Sequence, residues 1–559
     1  MTYKNTYFFV NEYNLNSLDL LFLLPEFFLV IISSLLLMYG VAFSTLKFYD
    51  YPILIKNIKW LTILSLIFAV ILCKNNYGYS LIVFQKLLII SPFNTLIKLL
   101  ILLSSIFILL ISIDYIKYEK VNTFEFSILI LLSIIGMLLL VSSYDLLSLY
   151  LALEMQSLCL YVLAAYKRNS EFSLEAGLKY LILSAFSSGI LLLGISFIYG
   201  FTGLLGFEDL NLFFINMYSN TNMDTLFYSN YYTIQLGVLF IIISLLFKIN
   251  AAPFHMWAPD VYEGAPTVIT AFFSVVPKLT TLGLLIQLLI SPFHIYFYSS
   301  INYFFKHNIF FYCSIFSILI GSLAALYQKR IKRLLAYSTI SHIGFILMGF
   351  LCGINLEKKF VFFSNGFIFS GLEASFLYIF IYIVMSINFF TIILSLRRKK
   401  DLFLIKYLTD FSNLNKINPL LAITFALGLL SMAGIPPLAG FISKFYLFLA
   451  ALRGEYYFLA ILGILLSSLS AFYYIRLIKI MYFEKESRWD LFIPIDREKS
   501  IILSLTFFCI LFFLINPEPF LYLINEIIYF LKNNNILLSS TNLSFFFSEE
   551  SINFAKLIK

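Results

Sequence analysis

The chain consists largely of apolar segments close to the ~20 residues that a helix needs to cross a bilayer core. Inside lipid a helix pairs its backbone N–H and C=O groups internally, so such segments cross membranes as helices. We predict an all-α polytopic membrane protein with about fourteen transmembrane helices. Their bounds are 18–42, 58–74, 93–113, 125–143, 145–166, 174–200, 232–250, 265–290, 308–327, 334–352, 372–396, 417–450, 455–482 and 500–530.

Composition supports this class and excludes several others. Charged residues make up 12 % of the chain, whereas soluble proteins contain about 25 %, and the mean hydropathy is +0.93. The net charge of +8 comes from basic residues in short loops, so it does not indicate nucleic-acid binding. The five cysteines form no C-x-x-C spacing, and there is no Walker loop or dinucleotide fingerprint. We therefore expect this chain to bind no metal and no cofactor.

The loops alternate in charge along the chain. Lys and Arg concentrate after odd-numbered predicted helices, whereas the loop after helix six, within 201–231, has acids but neither Lys nor Arg. Under the positive-inside rule the basic loops face the matrix or the cytoplasm. The alternation predicts an even number of helices with both termini on the outer face. The basic loops include Lys117 and Lys120, Lys167 and Arg168, Lys329 to Arg333, Arg397 to Lys400, and Lys485 to Lys499.

Two predicted helices, the seventh and the twelfth, combine a lysine with a helix break. Lys248 and Lys444 both lie in segments that are otherwise apolar. A charge at the membrane centre costs roughly 2.5–3.5 kcal/mol, and one broken helix in each half of a chain is typical of an ion site in a transporter. We therefore predict ion translocation. The breaks are marked by Pro253 in the first segment and by Gly434, Pro436 and Pro437 in the second.

Glu154 lies on a polar stripe of predicted helix five. The stripe follows helical spacing and comprises Tyr150, Glu154, Ser157 and Tyr161. A Glu–Lys pair at mid-membrane can hold or release a proton at similar free energies, which is the switch that a proton pump needs. The alternatives are an ion pair that only fixes helix packing and, for Lys248, a side chain that reaches out to the interface.

Lys278 and His342 are two further candidates. Lys278 follows Pro277, which should perturb its helix, and lies on a stripe of hydroxyl groups from Thr267, Thr270, Ser274 and Thr281. Such a stripe can hold water and pass protons, or its hydroxyls can bond to carbonyls of their own helix. His342 can relay protons near neutral pH or serve as a hydrogen-bonded structural residue. Glu26, Glu373, Lys98 and Lys179 lie near helix starts, so we predict structural roles for them, at the membrane interface in the case of the two glutamates.

Four stretches closely resemble the chain 2 family of NADH–ubiquinone oxidoreductase, the antiporter-like membrane subunits of respiratory complex I. They are SSYDLLSLYLALEMQSLCLYVLAAY, FKINAAPFHMWAPDVYEGAPTVITAFF, KRLLAYSTISHIGF and MAGIPPLAGFISKFYLF. The segment AFYYIRLIKIMYFEKESRWDLF is similar to the plant, algal or protist mitochondrial form. The resemblance implies two inverted five-helix repeats with broken helices 7 and 12. The implied domains are 1–124, 125–290 for the first repeat, 291–482 for the second, and 483–559.

The resemblance also implies a function. The family's pumping residues would fall on Glu154, Lys248, Lys278 and Lys444, with His342 near the path, in a proton-translocating membrane-arm subunit. NADH, FMN, iron–sulfur clusters and ubiquinone would be bound by partner subunits. The partners would be other membrane-arm subunits and inner-membrane lipids, not nucleic acid.

The expected location is the mitochondrial inner membrane, and the abundance of Phe, Tyr, Ile, Asn and Lys indicates organellar coding. Two other functions remain open from the residues alone. One is a self-sufficient cation/proton antiporter, and the other is an assembly scaffold whose buried charges only hold helices together.

Overall fold

The computed structural model describes residues 15–44, 51–119, 124–219, 225–293, 303–353, 370–399, 404–484 and 492–513, together with Leu402 and most of 516–524. The helices of the first half are α1 (Leu15–Phe22), α2 (Leu24–Ser44), α3 (Tyr51–Asn75), α4 (Pro92–Tyr118), α5 (Glu125–Ser142), α6 (Leu146–Ala164), α7 (Glu171–Thr202), α8 (Phe207–Ser219), α9 (Thr225–Ile249), α10 (Trp257–Gly264) and α11 (Thr267–Ile290). Those of the second half are α12 (Tyr303–Leu326), α13 (Ile331–Gly353), α14 (Gly371–Ser395), α15 (Pro419–Ala433), α16 (Ala439–Arg453), α17 (Tyr457–Phe483) and α18 (Arg497–Phe512). One-turn helices precede α15 at Leu408–Phe411 and Leu414–Ile417.

The predicted membrane spans are confirmed with small shifts at their ends. Within the described ranges, twelve helices are long and apolar enough to cross a membrane. The predicted helix 12 is present as two half-helices, α15 and α16, and the predicted helix 14 corresponds to α18. α18 ends at Phe512 rather than at residue 530. Pro517 begins a further helical turn, in which the N–H groups of Phe520 and Leu521 donate to Pro517 O, and proline is favoured at the start of a helix. Residues 525–530 lie outside the described part of the chain.

Three helices form the centre of the protein. α11, α13 and α14 are buried over almost their whole length, whereas α2, α7 and α17 bury only their inner faces. α11 packs against both α13 and α14, and these two pack against each other. Polar side chains inside the bilayer are costly where they face lipid, so they face the interior of a helix bundle. The polar side chains on the three central helices therefore face protein rather than lipid.

The structure brings the basic loops together at one end. The carboxylate of Glu119, at the end of α4, contacts Lys167 at 2.6 Å and Arg397 at 3.6 Å. Lys499 contacts Asp114 at 3.2 Å. These contacts join the loops after predicted helices three, five, eleven and thirteen. The sequence-based prediction that the odd-numbered loops share a face is confirmed for these four loops.

The loops after predicted helices two and six meet, and they contain two elements that were not predicted from the sequence. A hairpin pairs β1 (Leu81–Val83) with β2 (Leu88–Ile90), so a small sheet accompanies the predicted helices. The stretch 201–231 contains the helix α8, whose buried Phe207, Leu210 and Phe214 lie on one face. Lys86 of the hairpin contacts Glu208 of α8 at 3.2 Å. A short amphipathic helix was overlooked because it carries too few apolar residues to register as a span.

The predicted structural roles of Glu373 and Glu26 are confirmed, and Glu26 is buried, which the sequence did not predict. Glu373 forms a capping box with Ser370 at the start of α14. Glu26 Oε1 lies 2.6 Å from Lys98 Nζ, and both side chains are buried between α2 and α4. A buried charge without a partner is costly, and the partner of Glu26 is distant in the sequence. The boundary of a helix therefore gave no guide to the burial of Glu26.

Candidate functional site

The predicted break in helix 7 lies between α9 and α10, and the last turn of α9 is closed by hydrogen bonds. Asn250 adopts a left-handed conformation with φ +71°. Its N–H donates to Phe247 O at 3.2 Å, and the N–H of Ala251 donates to Leu246 O at 3.0 Å. This pair of hydrogen bonds is a Schellman motif. Trp257 Nε1 also donates to Phe247 O at 3.1 Å, so the freed carbonyls of Leu246 and Phe247 are satisfied by protein.

The break in helix 12 ends its first half-helix with the same motif. Gly434 has φ +84°, and its N–H donates to Ser431 O at 3.1 Å. The N–H of Ile435 donates to Leu430 O at 3.2 Å. Glycine adopts this left-handed conformation without steric cost. Both predicted breaks are confirmed, and each is a defined helix end followed by a second helix in the same segment.

Lys248 and Lys444, which look equivalent in the sequence, differ in their surroundings. Lys444, on α16, donates from Nζ to Met432 O at 3.0 Å and to Ala433 O at 2.8 Å. A cation at these last carbonyls of α15 is favoured by the helix dipole. Lys248, in the last turn of α9, has a buried Nζ with no hydrogen-bond partner in the described part of the chain. Its ammonium lies 5.9 Å from the centroid of the Tyr161 ring.

Glu154 lies on α6 and is half-buried. The Ser157 hydroxyl lies 3.1 Å from the carbonyl oxygen of Glu154 and 3.3 Å from Glu154 Oε2, so these two acceptors share its one proton. Glu154 forms no ion pair with Lys248 in this structure, since Lys248 Nζ has no partner among the described residues. Tyr161, one turn beyond Ser157 on α6, is the member of the predicted stripe that contacts the lysine.

Lys278 is fully enclosed in α11. Its Nζ is buried without a hydrogen-bond partner among the described residues and lies 5.4 Å from the centroid of the Tyr262 ring. Pro277, the preceding residue, has no N–H and so leaves the carbonyl of Phe273 without its usual helical donor. The hydroxyl of Tyr262 donates to Phe273 O at 3.3 Å and replaces that donor. A tyrosine of α10 thus both supports the helix at the proline and contacts the lysine.

Three hydroxyl groups of the predicted stripe on α11 bond to carbonyls of their own helix, as the second of the two alternatives predicted. Thr270, Ser274 and Thr281 donate to carbonyl oxygens of their own helix at 2.7, 2.8 and 2.9 Å. Hydroxyls that bond in this way are satisfied inside the bundle, and they tend to bend a helix slightly rather than stabilise it. They lie on the predicted face, but in this structure their protons are used by the backbone.

His342, on α13, is hydrogen-bonded on both ring nitrogens. Nδ1 lies 2.6 Å from the hydroxyl of Tyr378, and Nε2 lies 3.3 Å from the hydroxyl of Tyr474. The ring centroid of Tyr382 is 5.4 Å away, and its hydroxyl donates to Ser274 O of α11 at 3.2 Å. The sequence analysis missed these tyrosines. Tyr378 and Tyr382 are four residues apart and so share a face of α14, which was the available signal.

The charged side chains are joined by a continuous series of contacts. From Lys248 it passes through Tyr161, Tyr180 and Phe273 to Tyr262 and Lys278. Tyr382 then connects α11 with His342, and Tyr378 and Phe345 lead on to Lys444. The Phe345 ring centroid lies 5.4 Å from Lys444 Nζ. The structure therefore places Lys248, Lys278, His342 and Lys444 along one line of contacts through the protein interior.

Two broken helices, each with a buried lysine beside the break, define an antiporter-like membrane protein. Residues 143–470 match the family described as NADH:quinone oxidoreductase/Mrp antiporter, TM. The NADH-ubiquinone oxidoreductase chain 2 of Marchantia polymorpha is 47 % identical over 503 residues, which covers 90 % of this chain and 96 % of that protein. The protein of the same name from Arabidopsis thaliana is 44 % identical and covers 89 % of this chain and 93 % of its own length. The chain belongs to the NADH-ubiquinone oxidoreductase chain 2 family.

Solved structures show the same fold. A chain of respiratory complex I from Thermus thermophilus superposes with a TM-score of 0.69 at 25 % identity, covering 89 % of this chain and 98 % of that chain. A chain of the Mrp complex from Dietzia superposes with a TM-score of 0.70 at 17 % identity, covering 93 % and 98 %. The second likeness concerns the fold alone. The predicted antiporter-like fold class is confirmed, while the predicted domain boundaries stay predictions.

Proposed function

We propose that this chain translocates protons as a membrane-arm subunit of respiratory complex I, through Glu154, Lys248, Lys278, His342 and Lys444. The observation that carries the proposal is the pair of buried ammonium groups on Lys248 and Lys278, neither of which has a hydrogen-bond partner among the described residues. A buried, unpaired charge is costly. It is therefore sensitive to any change in nearby charge, which is what a gated proton carrier requires.

The first step would be electrostatic. Two unit charges 4 Å apart interact by about 4 kcal/mol at an effective dielectric constant near 20. Movement of Glu154 towards Lys248 would raise the proton affinity of the lysine, and movement away would lower it. A change of this size is enough to switch the lysine between its charged and neutral forms. Glu154 lies on the face of α6 that also carries Ser157 and Tyr161. A change in the charge or position of Glu154 would thus act on Lys248 across Tyr161, whose ring already lies beside that lysine.

The later steps would use tyrosines and the histidine. A tyrosine hydroxyl both donates and accepts, and a histidine ring does so through its two nitrogens. Tyr382, His342 and Tyr378 lie in succession between α11 and the neighbourhood of Lys444. Lys444 is held by two carbonyl oxygens, which accept from its ammonium but have no proton to give. Lys444 would therefore be the last proton carrier. We call the series Glu154, Lys248, Lys278, Tyr382, His342, Tyr378 and Lys444 the proton row.

The rest of the machinery would lie in other chains. In this proposal NADH, FMN, the iron–sulfur clusters and ubiquinone are bound by partner subunits, and the exposed apolar faces of α2, α7 and α17 contact membrane-arm subunits and lipid. The proposed location is the mitochondrial inner membrane with organellar coding. It is supported by the identity with the chain 2 proteins of two land plants and by the coding bias of the sequence.

Replacing Lys248 by alanine tests the proposal. We expect NADH-driven proton uptake into membrane vesicles to fall by about tenfold or more, since a proton carrier in a transfer step contributes roughly 10²–10⁴-fold. The measurement is the quenching of a pH-sensitive dye, normalised to assembled complex on a native gel. The matched control is Lys74→Ala, which removes an exposed lysine at the end of α3.

Pumping that stays normal in an assembled Lys248→Ala complex would contradict the proposal and favour a scaffold role. Proton-coupled cation transport by the purified chain alone in liposomes would instead favour a self-sufficient antiporter.

Replacing Tyr378 by phenylalanine tests the later part of the row. The change removes the hydroxyl 2.6 Å from His342 Nδ1 but keeps the ring packed against Phe345. A hydrogen bond contributes about 0.5–1.5 kcal/mol, so we expect a roughly two- to tenfold slower proton uptake with normal assembly. Tyr457→Phe, at an exposed tyrosine of α17, is the control. Equal rates for the two variants would remove Tyr378 from the row.

A further inference from the structure

The half-helix α10 lies between two candidate proton carriers and contacts both. Its first residue, Trp257, caps α9 close to Lys248. Tyr262, near its end, contacts Lys278 and supports α11 at Pro277. α10 has only eight residues, so a small displacement of its end moves both aromatic side chains. The contacts that fix that end therefore bear on both lysines.

The C-terminal end of α10 is bound by the start of α13. The carboxylate of Glu263 contacts the guanidinium groups of Arg330 and Arg333. Lys332 donates from Nζ to Ala265 O at 2.6 Å and to Glu263 O at 3.5 Å. We call these contacts of Glu263 and Ala265 with the three basic residues the clasp. It joins the half-helix of the first broken span to the helix that carries His342.

The clasp differs from an ordinary surface salt bridge. The Glu263 side chain is only 14 % exposed, although it contacts two arginines. Arg330, Lys332 and Arg333 lie at the N-terminal end of α13, where the helix dipole disfavours cations. An anion at that end offsets both the dipole and the mutual repulsion of the three cations. Glu263 is the carboxylate that contacts two of them.

A second set of contacts holds α10 against α7. Lys179 contacts Asp260 at 2.9 Å, and Arg333 contacts the same aspartate at 3.5 Å. Gly264 lies so close to α7 that a Cβ there would overlap the carbonyl oxygen of Phe172. α10 is therefore fixed on one side to the first half of the protein and on the other to α13. Its position depends on the clasp.

We propose that the clasp is a coupling element that positions α10 relative to α13, so that a proton on Lys278 can pass towards His342. Glu263 acts here as a positioning residue, since it contacts neither lysine itself. The inference rests on the proposed proton row and adds a link outside that row. Loss of the Glu263 charge removes the carboxylate that contacts two of the three cations, and Arg333 then keeps only its longer contact among the described residues, with Asp260 at 3.5 Å. The end of α10 and the start of α13 then move apart, and Tyr262 moves with α10.

The test is Glu263→Gln in the assembled complex. We expect the number of protons taken up per NADH oxidised to fall by about two- to thirtyfold, the range found for residues that modulate coupling between sites. NADH oxidation should fall less than proton uptake. Glu263→Asp, which keeps the charge, should recover most of the ratio. Asp209→Asn, on an exposed carboxylate that pairs with Lys86 at the other end of the protein, should leave it unchanged.

An unchanged ratio of protons to NADH in assembled Glu263→Gln complex overturns the proposal. Where this variant fails to assemble, Arg333→Gln is measured instead, since this arginine is 41 % exposed and the clasp keeps Arg330 and Lys332. A normal ratio in that variant overturns the proposal as well. Lys248→Ala separates the proposed proton row from the clasp. If this variant pumps poorly while the clasp variants keep a normal ratio of protons to NADH, only the role of the clasp is rejected.

Discussion

Replacing Lys98 by methionine is expected to remove most of the assembled protein from the membrane. Lys98 Nζ lies 2.6 Å from Glu26 Oε1, and each side chain is only 5 % exposed. Removing one partner of a buried ion pair costs about 3–5 kcal/mol, because the other charge stays buried and unpaired. That is a large share of the 5–15 kcal/mol by which proteins are typically stable. The amount of chain in the assembled complex, measured on a native gel, should fall severalfold.

The double variant Glu26→Gln with Lys98→Met should recover much of the loss, because no unpaired charge remains between α2 and α4. Lys86→Met is the matched control. Lys86 also pairs with a glutamate, at 3.2 Å, but its side chain is 53 % exposed, and exposed pairs contribute about 0–1 kcal/mol. Equal accumulation of Lys98→Met and Lys86→Met would show that the buried pair is dispensable.

Replacing Gly440 by alanine is expected to abolish proton uptake. A Cβ at this position of α16 would overlap the carbonyl oxygen of Ser431 on α15, so one half-helix must shift. Overpacking against backbone belongs to the class of changes that cost more than about 4 kcal/mol. Lys444 lies one turn further along α16, and the same shift takes its ammonium off Met432 O and Ala433 O. Dye quenching in vesicles, normalised to assembled complex, measures the effect.

Gly189→Ala provides the control for this glycine substitution. Gly189 lies in the helix α7, where an added Cβ would meet no atom within 4 Å. Alanine favours helix over glycine by about 1 kcal/mol, so this variant should assemble and pump at least as well as the unchanged chain. A Gly440→Ala variant with the same behaviour would show that α15 and α16 separate without consequence.

The membrane spans were predictable because each depends on a local property. A run of apolar residues crosses the bilayer wherever it occurs, and its position needs no knowledge of its neighbours. The same holds for the breaks at Pro253 and Gly434, since a proline or a left-handed glycine ends a helix through its own backbone. Hence α9 and α15 end close to the predicted positions. The small α8 and the β1–β2 hairpin were missed, since neither has the length that this rule detects.

The partners of the buried charges were not predictable. Lys248 and Lys444 have similar sequence surroundings, yet only Lys444 reaches the carbonyl end of a half-helix, because it follows its break whereas Lys248 precedes it. The tyrosines around His342 come from α14 and α17, 36 and 132 residues away along the chain. The Glu263 carboxylate meets arginines of another predicted repeat. Each of these contacts joins helices that are far apart in sequence.

The sequence by itself determined that this chain is a polytopic helical membrane protein with two broken spans, and it identified five of the residues that form the proposed proton row. These features follow from hydropathy, charge and backbone chemistry, which act within a single segment. The tertiary structure alone decided which lysine is capped and which is left without an acceptor, that Glu26 is buried with Lys98, and that α10 is bound to α13. Such pairings depend on how helices pack in three dimensions, and the order of residues within one segment does not show which helices pack together.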